Sequence, residues 1–226
     1  MDGILLFDKP LLWTSHDAVD YVRARTGQRA VGHAGTLDPM ATGLLILLLG
    51  KATKLSAKFS QLDKDYRGLM MLGVTTDTQD LDGRILSERE ASTITQSALE
   101  EVFSRLRGKI SQTPPAFSAL KQKGRKLYEM ARKGIAVTAD SREVTVAAFE
   151  ILRFTPPEVA FFVSCSKGTY VRSLCHEAGD RLGCGAVLSA LVRTRIGSFH
   201  LKEAIQKEQI DNAGIAAIRK CLHDYL

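Results

Sequence analysis

The run Leu44-Leu45-Ile46-Leu47-Leu48-Leu49 sets six aliphatic side chains in a row, with Gly43 before it and Gly50 after it. A half-buried strand alternates and a surface helix leaves polar gaps; this segment does neither. It is the pattern of a strand covered on both faces, so the rest of the chain has to supply a layer on each side of it. Immediately upstream, Gly32 to Gly43 read Gly-His-Ala-Gly-Thr-Leu-Asp-Pro-Met-Ala-Thr-Gly. One carboxylate, Asp38, stands there on a turning backbone beside that strand. The segment holds no second acid, so a paired acid–base site needs a partner from elsewhere. A lone carboxylate acting directly, as nucleophile or as base, fits better. A polar turn feeding a core strand is an equally simple explanation of the same residues.

The remaining pattern predicts both element types. Residues 4–7 form a short apolar strand ended by Asp8-Lys9-Pro10. Thr14 and Asp17 have capping-box spacing, with Asp in place of the usual Glu, ahead of a helix carrying Ala18, Val19 and Val22 on one face. Residues 66–74 are apolar on both faces. Thr95 caps a helix with Leu99, Val102, Phe103 and Leu106 inward and Gly108 as its stop. A shorter helix covers 127–133 and ends at Gly134. Strands at 143–154 and 159–165 are joined through Pro156-Pro157. Residues 170–182 read as a helix with Val171, Leu174, Cys175, Ala178 and Leu182 inward, closed by Gly183. Residues 187–199 supply a last strand, and 202–226 are mostly helical and surface-facing. Strands and helices mix without regular β-α-β alternation. The class is therefore α+β, with a mixed, largely antiparallel central sheet flanked by helices and loops. No linker marks two independent domains.

Composition narrows the function classes. The chain has 226 residues, 45% of them hydrophobic, enough for one large domain or a domain with a small lobe. Its net charge of +6 weakly favours a polyanionic partner. The four cysteines show no C-x-x-C spacing, so neither a zinc site nor a redox pair is indicated, and Cys165, Cys175 and Cys184 read as buried, reduced thiols. The first residues lack a signal-peptide pattern and the longest apolar run is too short for a bilayer, which predicts a cytoplasmic protein with no membrane partner. Two tempting motifs fail. Gly50-Lys51-Ala52-Thr53 lacks the Ser or Thr that must follow a phosphate-loop lysine. With Gly83 at the sixth position of a calcium loop, Thr78 and Arg89 fall where acids are required. Asp77, Asp80 and Asp82 are then read as solvating a surface turn.

Five segments remain, in order. After the Gly-His-Ala-Gly-Thr-Leu-Asp segment come Lys64-Asp65-Tyr66-Arg67 and Pro114-Pro115-Ala116-Phe117-Ser118-Ala119-Leu120-Lys121. Then follow Cys165-Ser166-Lys167-Gly168-Thr169-Tyr170-Val171-Arg172-Ser173-Leu174 and a segment running from Gly183 to Leu191-Val192-Arg193-Thr194-Arg195. Together with Asp8-Lys9-Pro10 and Thr14-Ser15, this set resembles the TruB family, bacterial tRNA pseudouridine-55 synthases, over about residues 3–199. The resemblance implies a pseudouridine synthase fold with a central RNA-binding cleft, and isomerisation of the uridine at position 55 in the T-arm loop of tRNA by base flipping. It makes Asp38 the catalytic aspartate and Arg172 the arginine that pairs with it. It makes Tyr66 the tyrosine that stacks on the flipped base and Leu191 a wall of the pocket. His33 becomes the residue that fills the space left by the extruded uridine, not an acid or base.

Further expectations follow from the same likeness. Lys9, Lys64, Lys121, Lys123, Arg125 and Lys126 become candidate contacts to the RNA backbone, although the 121–126 cluster alone reads as a solvated face. No cofactor, metal or guide RNA is expected, and the protein is expected to be a monomer. Residues 1–200 would form the catalytic domain and 201–226 a helical extension. The 27 residues after Phe199 are too few for the PUA domain that many members carry. The chain departs from the family pattern at Leu12, where Gly is usual, and at Lys123, where an acid is common. Two other readings stay open: a synthase directed by a guide RNA or acting on another RNA, and a protein serving chiefly as a tRNA-folding helper.

Overall fold

The structure is a computed structural model that describes all residues except 119, 123, 124, 132–138, 225 and 226; at 121, 122, 125, 126, 129 and 131 only the backbone is described. The chain divides into two compact units, Met1–Arg67 with Leu191–Leu226, and Gly68–Ala190. The first unit holds β1 (Gly3–Lys9), α1 (Ser15–Thr26), β2 (Val31–Ala34), β3 (Ala41–Leu49), α2 (Ser56–Ser60) and the start of β4 (Lys64–Leu72). The second continues β4 and adds β5 (Val74–Thr76), β6 (Ile85–Glu88), α3 (Gln96–Arg105), β7 (Gly108–Gln112), β8 (Lys121–Gln122), β9 (Arg125–Lys126) and α4 (Leu127–Ala131). It also holds β10 (Arg142–Thr155), β11 (Glu158–Cys165), α5 (Val171–Leu182) and the start of β12 (Ala186–Ile196). The end of β12, β13 (Phe199–His200), α6 (Lys207–Ala213), α7 (Ile215–Lys220) and β14 (Leu222–His223) complete the first unit.

Strand order in the first unit is β14-β1-β3-β12-β4, with β2 against β3 and β13 against β12; in the second it is β4-β11-β10-β7. The β3–β12 pairing is parallel, whereas β1–β3, β2–β3, β1–β14, β10–β11 and β7–β10 are antiparallel. This is the mixed, largely antiparallel α+β arrangement that the pattern predicts. Among the described residues no helix is long and apolar enough to cross a membrane.

β3 behaves as its composition requires. Leu45, Leu47 and Leu49 pack with Leu5, Phe7, Ala18, Val19, Val22, Ile210 and Ile218 on one face. Leu44, Ile46 and Leu48 pack with Ile4, Leu6, Ala34, Phe59 and Ile196 on the other. Each such side chain contributes roughly 1.5–3 kcal/mol by leaving water. Thr14 caps α1 through a complete capping box with Asp17, and Gly27 ends the helix at φ 67°. In the second unit Phe103 stacks on Phe149 at 3.6 Å and Phe161 meets Phe149 edge-on at 5.5 Å. Gly68 is obligatory beneath that ring, since a Cβ there would lie 2.4 Å from Phe161 Cζ.

Four sequence expectations change. The strand expected over 66–74 stops at Leu72, because Gly73 takes φ 87° and restarts the chain as β5. Within β4 one face is buried and the other only half so, with Arg67 exposed. The strand expected over 187–199 turns at Gly197, φ 56°, and returns as β13, and β14 follows it. The 202–226 region is helical in part, yet Ile205, Ile210 and Ile218 are buried and belong to the core against β1 and β3. The helix expected over 127–133 is described through Ala131; Lys133 and Gly134 lie outside the described residues.

Candidate active site

Asp38 sits half-buried in the turn that joins β2 to β3. That turn is held from several sides. The Ala41 N–H donates to the Asp38 carbonyl at 3.0 Å, and the Leu12 N–H donates to the Pro39 carbonyl at 2.9 Å. The buried Ser15 hydroxyl accepts from the Leu37 N–H at 2.8 Å and faces the Leu37 carbonyl at 3.2 Å. From β12, the Arg193 guanidinium donates through Nε to the Leu44 carbonyl at 2.7 Å, through Nη2 to Gly35 at 2.9 Å and through Nη1 to Thr36 at 3.3 Å. Gly43 admits the strand bearing this arginine: it takes φ 98°, and a Cβ there would lie 2.5 Å from the Arg193 carbonyl oxygen. The acid is thus carried on a backbone whose carbonyls from Gly35 to Pro39 are held from within, a condition that favours a fixed geometry.

The first unit also gathers Tyr66 on β4 and Leu191 on β12, each 8% exposed. Leu191 pairs with Ala41, three residues beyond the acid. Tyr66 hydrogen-bonds the Arg193 guanidinium. His33 lies on β2 opposite Leu47, and its Nδ1 is buried with no hydrogen-bond partner. Burial, then the charges of Arg193 and His16, hold its pKa below the ordinary 6.5. A neutral imidazole at neutral pH suits a group that stacks rather than one that donates charge.

Two cations expected on the RNA-facing surface lie inside the fold. Lys9 is 0% exposed, with Nζ donating to the Pro10 and Trp13 carbonyls at 2.9 and 2.5 Å. Lys64 is 6% exposed and gives Nζ to the Ser60 carbonyl at 2.7 Å and to that of Leu62. Each ammonium donates to two backbone oxygens and is withdrawn from the surface, which corrects their reading as RNA-backbone contacts. Burial and the Arg193 charge lower the Lys9 pKa to about 8, while Asp38, Asp17 and Asp8 oppose the shift. Between pH 8 and the ordinary 10.5 the unfolded chain still holds the proton that folded Lys9 has lost. Stability therefore rises with pH across that window, by roughly 1–3 kcal/mol. Urea unfolding at pH 7.5 and 10 should show this gain in the wild type and a flatter response in Lys9→Met; equal slopes would remove the assignment. Of the other basic candidates, Lys121, Arg125 and Lys126 contribute backbone to the β8–β9 hairpin, their side chains being outside the described residues, as is all of Lys123.

Arg172 stands in the first turn of α5, in the second unit, and is 5% exposed. It donates to the Thr78 carbonyl at 2.8 Å and the Phe117 carbonyl at 3.0 Å, and Nη1 lies 3.4 Å from Asp80 Oδ2. Asp80 is therefore no solvating surface acid. It is 5% exposed, accepts from the Asp82 N–H at 3.1 Å and is hydrogen-bonded by Thr78. Burial raises its pKa above the ordinary 3.8, against the lowering effects of Thr78 and Arg172. Sequence reading missed the buried hydrogen-bonding roles of Asp80, Arg193 and Ser15. The available signal for Asp80 was Arg172 itself, since a guanidinium on the inward side of an apolar helix requires a buried acceptor.

Residues 23–171 match the family described as TruB family pseudouridylate synthase, N-terminal domain, and residues 172–226 match tRNA pseudouridylate synthase B, C-terminal domain. The chain belongs to the TruB family. It is 46% identical over 222 residues to tRNA pseudouridine synthase B of Opitutus terrae, a match covering 98% of this chain and 92% of that one. It is 49% identical over 205 residues to the protein of the same name from Geotalea uraniireducens, covering 91% of this chain and 66% of that one. Its fold resembles a chain in the crystal structure of a Cbf5-Nop10-Gar1 complex, with TM-score 0.76 and 28% identity. That likeness takes in 98% of the TruB-family chain described here and 60% of the solved one. The pseudouridine synthase fold is thereby established. Among the described residues no group of three or more His, Cys, Asp and Glu side chains is placed to hold a metal ion.

Proposed function

We propose that this protein is a tRNA pseudouridine synthase that converts the uridine at position 55 of the T-arm loop to pseudouridine after flipping it out of the loop. The observation that carries the reading is the Asp38 turn, a single acid on a backbone anchored by Arg193 and Ser15, in a chain whose family and relatives are pseudouridine synthases. The reaction breaks the N1–C1′ bond, forms a C5–C1′ bond, gives N1 a proton and releases the one on C5. It is redox-neutral and calls for positioned protein groups. Asp38 acts on the nucleoside, either by attack or by taking a ribose proton. Arg172 is the arginine that the family resemblance assigns to this acid. Tyr66 offers a π face to the flipped base and a hydroxyl near C5, Leu191 walls the pocket, and neutral His33 occupies the vacated place in the loop. The catalytic domain is residues 1–200, with 201–226 as an extension that supplies core side chains.

The test uses tRNA carrying tritium at C5 of uridine. The wild type should release label, Asp38→Asn should release none above background, and replacing the T-loop uridine by cytidine should abolish position-55 product. The likeness to a chain from a multi-protein complex favours one second reading, a synthase that needs partner components. Release from an isolated T-arm stem-loop by the purified chain supports the stand-alone enzyme; release only in the presence of added partners supports the other.

A further inference from the structure

We propose that Arg193 is a positioning residue for this reaction, its one buried guanidinium holding the backbone that carries Asp38 and the hydroxyl of Tyr66 in a single register. The proposal rests on the isomerase reading above and adds a residue to it. At 1% exposure Arg193 is the largest fully buried side chain among the described residues. A guanidinium withdrawn from water persists only where its N–H groups are satisfied. Here they are given to the carbonyls of Gly35 and Thr36 before the acid and of Leu44 after it, so one cation clasps both ends of the Asp38 turn. The same group meets the Tyr66 hydroxyl.

Chemistry explains why the residue is arginine. The planar fork presents five N–H donors in fixed directions, and each acceptor here is a carbonyl or hydroxyl oxygen arranged around it. A lysine carries a comparable charge on three rotatable donors and cannot span both ends of the turn. Ser15 completes the clasp from α1 by fixing Leu37, the residue next to the acid. An arginine that merely joined β12 to β3 would alter melting and leave the chemistry of the folded fraction unchanged. A positioning arginine changes the chemical step.

The experiment measures single-turnover tritium release and tRNA affinity for wild type, Arg193→Lys, Ser15→Ala and Asp38→Asn, at a temperature where circular dichroism shows each fully folded. Displacing an acid by about 1 Å costs on the order of 100-fold in rate, so Arg193→Lys should lose about 100-fold with the dissociation constant within about threefold of wild type. Ser15→Ala should lose about tenfold, again without loss of affinity, and the double variant should fall short of the product because both act on one turn. An Arg193→Lys rate within about threefold of wild type overturns the proposal. So does a loss of rate matched by an equal loss of affinity. If Arg193→Lys does not fold, an unchanged rate in Ser15→Ala overturns it instead. A wild type that releases no more label than Asp38→Asn brings down the isomerase reading and this proposal with it, a result distinct from an active wild type matched by an active Arg193→Lys.

Discussion

Asp38→Asn is expected to slow single-turnover tritium release by on the order of 10⁴-fold or more while leaving tRNA affinity within about threefold. The reasoning is geometric before it is electrostatic. The carbonyls from Gly35 to Pro39 and the Leu37 N–H are engaged by Arg193, Ser15, Leu12 and Ala41, so an isosteric amide should occupy the place of the acid without moving the backbone. What it lacks is a carboxylate oxygen able to attack carbon or to take a proton. Asp38→Glu restores the charge but adds a methylene to a backbone that cannot retreat, and about 100-fold loss is expected from misplacement alone. Single-turnover kinetics with filter-binding affinities separate these outcomes. An Asp38→Asn enzyme with wild-type rate would remove the acid from the chemistry.

The next-largest effect belongs to the buried Arg172–Asp80 pair. Arg172→Met should destabilise the protein by roughly 3–5 kcal/mol, because it strands a carboxylate that is 5% exposed and deprives two carbonyls of their donor. Asp80→Leu strands the guanidinium for the same reason. The double variant should cost well under the sum, with a coupling of at least about 1 kcal/mol, since it removes both charges together. Acid should rescue Arg172→Met in part. Burial raises the Asp80 pKa, so on acidification the folded state takes up this proton before the unfolded chain does, and a neutral carboxyl has no charge left to strand. The stability gap between wild type and Arg172→Met should therefore narrow as the pH falls toward that raised value, above 3.8. Urea unfolding across pH reads this directly. A gap that stays constant, or widens in acid, would show that Asp80 is not the charge Arg172 neutralises.

What could be read from the sequence is what depends on neighbours along the chain. β3 announced itself because six consecutive aliphatic residues admit little but a strand buried on both faces, and its alternating residues do enter two separate cores. The caps at Thr14 and Thr95 and the stop at Gly183 are local chemistry and were equally legible for α1, α3 and α5. Positions whose role depends on distant partners were not. Arg193 finds the Leu44 carbonyl across 149 residues, and Arg172 finds Thr78 across 94. Nothing near either arginine in sequence names its acceptor. Lys9 and Lys64 misled for a related reason: composition counts their charge, but only the fold shows each ammonium turned onto backbone carbonyls. The Asp77, Asp80 and Asp82 cluster conceals one buried acid among three that look alike in a row of letters.

The arrangement of the first unit also sets an order of events during synthesis. β3 and the Asp38 turn leave the ribosome early, yet β12, Ile205, Ile210 and Ile218, which cover that strand, are made more than a hundred residues later. The intervening 68–190 segment is compact in its own right and is translated before the first unit can close. A nascent chain halted before residue 193 thus carries Asp38 on a turn without the Arg193 hydrogen bonds to Gly35, Thr36 and Leu44. Until β12 and these isoleucines have been made, the leucine-rich strand lacks its cover and the turn lacks its anchor.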